Sequence, residues 1–219
     1  MGNDIVDLRD ANSAGKSQDE RFVGRVLVKS EMREMERAKF PDKWLWSAWA
    51  AKETAYKVIS KARPDIKSSP RSYEVSFEDA KIGEKFPGRV ATPAETVHIL
   101  LSINENYIHC IGRTGKRPFW KDIISEANHI APDPGCGGDC NSERQSAAVR
   151  LAARKRIASI IDLRADDIAI ERSKGPRGPT PPAVYIRGEM AEIDISLSHH
   201  GRFAAFAFHG GNLISTKIR

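Results

Sequence analysis

The chain has 219 residues, 40% hydrophobic and 29% charged, a composition that excludes a disordered segment and a membrane protein and gives room for one large domain or two small ones. No run reaches the roughly 18 apolar residues of a membrane-spanning helix, and the acidic N-terminus MGNDIVDLRD is not a secretory signal, so the expected compartment is the cytoplasm. Thirty-five Lys and Arg against 29 Asp and Glu give a net charge of +6, which favours an anionic partner: nucleic acid, a phosphorylated cofactor, an acidic protein or a membrane surface.

In chain order, residues 1–7 alternate around Ile5 and predict a short strand, followed by the polar loop RDANSAGKSQDE. Residues 21–38 carry apolar positions at helical spacing, and Pro41 stops the run. The strongest helix signal runs from about Trp44 to Lys61, free of Gly and Pro and closed by Pro64. SYEVSFE and then VHILLSI with YIHCIG read as strands, with Gly and Pro turns between them. Residues 114–141 carry clusters of Pro, Gly, Asn and Asp and are read as a linker. A second helix is expected over about 142–161 with Ser142 as its N-cap. KGPRGPTPP reads as a rigid loop. AVYIRG, EIDISLSH and RFAAFAFHG complete the chain as strands. The fold class is therefore α+β, with one lobe over 1–113 and a second over 142–219.

Three cysteines do not make a disulfide framework. Cys136 and Cys140, in PGCGGDC with His129 nearby, amount to half a metal knuckle. They are read as loop thiols, with a metal or a loop disulfide as the alternative.

Three short stretches carry chemistry. At about 100° per residue, Trp49, Lys52, Glu53, Tyr56 and Lys57 share one helical stripe, which suits either a functional face or an amphipathic border with a Glu53–Lys57 surface pair. On the first strand Asp4 and Asp7 point to opposite faces, so they do not chelate together. Asp4 is either a turn residue or a hard oxygen ligand for a divalent cation. In DISLSHHG, Asp194, Ser196 and Ser198 line one strand face, and the strand ends at His199 and His200, where hydroxyl and imidazole suit phosphate or carboxylate binding. There is no Walker loop and no G-x-S-x-G elbow.

Together, Gly2-Asn3-Asp4-Ile5, Trp49-Ala50-Ala51-Lys52-Glu53 with Lys57, and Ser196-Leu197-Ser198-His199 resemble the motifs of the 4′-phosphopantetheinyl transferases. The resemblance spans nearly the whole chain apart from 114–141. It implies two similar lobes, each a long helix packed on a small antiparallel sheet: a metal-binding lobe over 1–113 and a coenzyme A-binding lobe over 142–219. It also implies transfer of the phosphopantetheine arm of coenzyme A to a serine of an acidic acyl or peptidyl carrier protein, with release of 3′,5′-ADP. Asp4 and Glu53 would hold Mg²⁺, Glu53 or a metal-bound water would take the serine proton, and Lys57 would stabilise the leaving group. Ser198 and His199 would contact coenzyme A phosphates. Arg144, Arg150 and Arg154 on the second helix, with Lys174 and Arg177 in the loop, are candidates for the 3′-phosphate, beside the alternative of a solvated basic face.

The chain departs from the family pattern in two places. Val6 stands where two-lobed members often carry a third carboxylate. The Asp–Glu lobe precedes the histidine lobe, the reverse of the two-lobed order, which implies a permuted pseudo-dimer active as a monomer; the alternative is a short-type enzyme with a long insertion. Two other classes are a coenzyme A-binding protein of this fold without catalysis and a basic nucleic-acid-binding module. For the latter no zinc-finger, RNP-like or helix-turn-helix signature is present, so neither nucleic acid nor membrane is the expected partner.

Overall fold

The computed structural model describes residues 1–78, 85–115, 120–131, 138–175 and 178–209. The chain divides into two compact units, Gly2–Pro118 and Phe119–Arg219. Both are mixed helix and antiparallel sheet, in keeping with the expected α+β class.

The first unit opens with β1 (Gly2–Asp7), followed by α1 (Glu20–Val26), α2 (Lys29–Arg37) and α3 (Pro41–Ala62). Four strands follow: β2 (Glu74–Phe77), β3 (Phe86–Ala91), β4 (Thr96–Ile103) and β5 (Tyr107–Arg113). They form one five-stranded sheet in the order β1-β5-β4-β3-β2, so the first strand of the chain becomes an edge beside the last strand of the unit. α3 supplies the apolar stripe that covers this sheet. Leu45, Ala48, Ala51, Ala55, Val58 and Ile59 pack with Val6, Ile99, Leu101, Ile108 and Cys110 in one core, the small alanines allowing a close approach.

Two expectations need correction here. The single helix expected over 21–38 is two, α1 and α2, parted at Leu27 and Val28. Asp19 caps α1 by accepting from Phe22 N at 3.0 Å, and Val28 N is taken by the Glu31 carboxylate at 2.8 Å, so each helix starts on its own cap. FPGRVA, read as a turn, is strand β3. Gly88 pairs with Phe77 on one side and Ile99 on the other, where a β-carbon would stand 2.9 Å from the Ser76 carbonyl oxygen.

The second unit runs β6 (Ile123–His129), α4 (Gly138–Ile161), β7 (Ile168–Glu171), β8 (Lys174–Gly175), β9 (Gly178–Pro179), β10 (Ala183–Ile186), β11 (Glu189–Ala191), β12 (Ile195–His200) and β13 (Phe203–His209). Its sheets are β12-β13-β6, β11-β10-β7 and the two-residue ladder β8-β9. Val149, Ala153 and Ile157 of α4 pack on Ile195, Leu197, Ala204, Phe206 and Phe208.

Residues 114–141, read as a linker, therefore contain a strand. Ser125, Glu126 and Asn128 break up its apolar alternation, because β6 is an edge strand that is half exposed. α4 begins at Gly138, so Ser142 lies inside the helix rather than capping it. KGPRGPTPP, read as a loop too rich in Pro and Gly for regular structure, carries the short β8-β9 ladder. Cys136 and Arg177, like the side chain of Cys140, lie outside the described residues.

Candidate active site

The best-defined constellation forms where α3 crosses β1. Two glycines set the distance. A β-carbon on Gly2 would collide with the Thr54 carbonyl oxygen, and one on Gly112, its partner on β5, would stand 2.7 Å from Thr54 Cγ2. The Gly of the Gly2-Asn3-Asp4 run is thus a packing residue: with no side chain there, α3 rests directly on the strand. Asp4 and Val6 then share the face turned to α3, and Val6 enters the core while Asp4 remains half-buried at its border.

Lys57 Nζ reaches Asp4 Oδ1 at 2.7 Å and the Asn3 carbonyl oxygen at 3.0 Å. The surface pair weighed between Glu53 and Lys57 is therefore not the contact made; the lysine bridges from helix to strand. Glu53, one turn earlier and half-buried, is raised above the ordinary carboxylate range. Burial is the main cause, followed by the negative charge of Asp4, with Lys57 opposing. Two carboxylates that repel each other beside one ammonium group make a site that gains from a further cation.

The donor set can be tested against Mg²⁺. No group of three or more His, Cys, Asp or Glu suited to a metal occurs among the described residues. Two hard carboxylates do fit an ion that keeps several waters and takes its remaining oxygens from a phosphorylated substrate. Val6 adds no ligand.

Lys52, placed by spacing on the same stripe, faces elsewhere. It is fully buried, donating to Glu31 Oε2 at 2.6 Å, Val26 O at 3.0 Å and Pro70 O at 3.1 Å. Burial lowers its pKa, and Glu31 opposes that shift. Glu31 also accepts from Val75 N at 2.7 Å. This pair was not read from the sequence; a Lys on the apolar side of an Ala-rich helix, with a Glu on the preceding helix, is the signal that could have found it.

In the second unit the predicted residues divide. Leu197 belongs to the core under α4, and strand alternation puts His199 on that same side. Ser198, buried, donates to Ala205 O at 3.4 Å and lies on the opposite side with Ser196 and His200. Ser198 and His199 therefore do not share a face. Arg150 donates to Ser146 O at 3.1 Å and Oγ at 2.7 Å. Arg154 donates to Ala165 O at 2.7 and 3.0 Å and reaches Asp166 at 3.3 Å. Arg144 donates to the Ala131 carbonyl oxygen. Lys174 is exposed on β8.

No helix among the described residues is long and apolar enough to cross a membrane. No curated protein matches the chain. The family model of the 4′-phosphopantetheinyl transferase superfamily matches residues 1–111 of the 219, a span that begins just before Asp4 and runs through Glu53 and Lys57 into β5. By that match over half its length, the chain belongs to the 4′-phosphopantetheinyl transferase superfamily.

Proposed function

We propose that this protein transfers the 4′-phosphopantetheine arm of coenzyme A to a serine of an acidic acyl or peptidyl carrier protein, with Mg²⁺ held by Asp4 and Glu53. The observation that carries this reading is the Asp4–Lys57 pair at 2.7 Å beside a Glu53 whose proton affinity is raised. Bound there, the metal ion would neutralise pyrophosphate charge. The serine oxygen attacks phosphorus and the bond to 3′,5′-ADP breaks. The serine proton goes to Glu53 as general base. Lys57, fixed between Asp4 and the Asn3 carbonyl, supplies positive charge where the leaving phosphate becomes more negative. His199, with Arg144, Arg150, Arg154, Lys174 and Arg177, is proposed to serve coenzyme A, while Ser198, on the other face of β12 and bonded to Ala205 O, is proposed to support the strand. A net charge of +6 suits an acidic carrier.

We also propose that the two units are the two lobes of a permuted pseudo-dimer. Supporting this, each holds an edge strand, then a long helix, then a hairpin whose second strand pairs with the edge. Asp7 pairs with Tyr107, the first residue of β5, as His129 pairs with Phe203, the first residue of β13. Counting back three places aligns Asp4 with Glu126. A permuted pseudo-dimer has all its site residues in one chain, so activity per molecule should not fall on dilution; concentration-dependent loss would favour a site shared between subunits.

The decisive experiment is mass spectrometry of apo carrier proteins incubated with the protein, coenzyme A and Mg²⁺. Transfer adds about 340 Da to the serine, and no gain on any acidic carrier would remove the proposal.

A further inference from the structure

The second unit carries an open groove of about 670 Å³ between α4 and the edge strand β6. It lies where the candidate site lies in the first unit. Glu126, aligned with Asp4, pairs with Arg156 of α4 at 3.1 Å, as Asp4 pairs with Lys57 of α3 at 2.7 Å. Counting one turn back along each helix aligns Glu53 with Ala152 and Trp49, one further turn back, with Ala148; both alanines line the groove. The ion pair is thus kept, while the second carboxylate is replaced by a methyl group and the space of an indole is left open. A site with one carboxylate, already neutralised by Arg156, has no means of holding a divalent cation.

The remaining chemistry is donor-rich. Lys155 and Arg144 stand on the lining with Arg156. Asn128 faces the groove from β6, in register with Ala204, which also lines it. Its Nδ2 is shielded from solvent, so the residue serves as a reporter on the groove wall rather than as a donor into it. The walls beside these groups are apolar: Ala148 and Ala152, with Leu151, which is 45% exposed. A volume of this size is that of a small-molecule site. What complements it is an anion with an apolar body: the head offsets the surplus positive charge of Lys155 and Arg144, and the body covers the alanines and Leu151.

We propose that the α4–β6 groove is a second, metal-independent binding site for a small amphiphilic anion with a carboxylate or phosphate head. The inference rests on the lobe alignment proposed above and shares Arg144 with the coenzyme A assignment; its test uses Ala152 and Lys155, which belong to neither the metal site nor the coenzyme A residues.

The test is titration of the full-length protein, in EDTA, with octyl phosphate, octanoate and uncharged octyl glucoside, followed by calorimetry and by the side-chain amide resonances of Asn128. We expect one or both anions to bind and shift Asn128, with octyl glucoside inert; which anion binds identifies the head. Ala152→Glu, which puts a carboxylate into the groove, and Lys155→Glu should each weaken binding about tenfold or more, with transfer to a carrier protein unchanged. Absence of binding by both anions up to about 10 mM, equal binding of octyl glucoside, or binding indifferent to both substitutions would overturn the proposal. Loss of transfer in the unmodified protein would count against the transferase reading alone.

Discussion

Lys52 and Glu31 form an ion pair at 2.6 Å in which each side chain is 1% exposed. The pair ties α3 to α2, and through Pro70 O and Val75 N to the start of β2. Lys52 is also the residue before Glu53, so its anchorage fixes the helix rotation that turns Glu53 toward β1. Removing one partner strands the other charge without solvent. Lys52→Met should therefore cost about 3–5 kcal/mol in urea denaturation. Lys52→Met with Glu31→Gln should cost less than the sum of the single changes, since the uncompensated charge is gone. Additive losses would show that the two side chains act independently.

Glu53→Gln separates chemistry from stability. The carboxylate is raised by burial and by Asp4, so the folded state holds the proton more tightly than the unfolded chain. Stability from this group is present at low pH and lost as pH rises from the ordinary carboxylate value through the raised one. At neutral pH the wild type carries that penalty and the amide does not. Glu53→Gln should thus melt at or above the wild-type temperature without metal, yet lose transfer by about 100-fold or more. Added Mg²⁺ should raise the melting temperature of the wild type and leave the Gln and Asp4→Asn variants unmoved. A variant that keeps both turnover and the Mg²⁺ response would remove Glu53 from the metal site.

How far the site was readable follows from periodicity. Strand alternation separated Asp4 from Asp7, and helical spacing put Glu53 one turn before Lys57; both are local rules that survive folding. The same spacing could not tell that Lys52 turns inward, because its partner Glu31 is 21 residues away on another helix and only tertiary packing joins them. β6 was missed for a related reason: its polar residues read as loop until β13 pairs with it. Gly88 read as a turn because a glycine signals backbone freedom or close packing equally well, and the neighbouring strand decides which.

His199 and Ser198 give a sharper test now that they lie on opposite faces of β12. If coenzyme A phosphate is bound on the His199 side, His199→Ala should raise the Michaelis constant for coenzyme A by an amount equivalent to about 1.5–3 kcal/mol. Ser198→Ala, which removes a buried donor to Ala205 O, should act mainly on stability. His200→Ala shares the Ser198 face and should leave coenzyme A use nearly unchanged. The reverse order, with His200 dominant, would place the ligand on the other side of the sheet. Steady-state kinetics on the three variants, with melting temperatures alongside, distinguish these outcomes.

His109 sits on β5 opposite Ile5, on the sheet face turned away from α3, since its neighbours Ile108 and Cys110 pack under that helix. It is buried, and its Nε2 has no hydrogen-bond partner. Burial, aided by the positive charges of Lys57 and Lys85, lowers its pKa from 6.5 to about 4. The folded protein therefore keeps the imidazole neutral while the unfolded chain takes up a proton below 6.5. The stability involved is fully present above that pH and is lost as pH falls toward about 4, with a total loss of about 3 kcal/mol. Glu53 works in the opposite sense over part of this range, gaining stability on protonation, so the cleanest measurement is made in a Glu53→Gln background. Urea denaturation at a series of pH values should show a decline below 6.5 that His109→Leu flattens. A slope that persists in His109→Leu would assign the acid sensitivity to other groups and leave His109 as a packing residue.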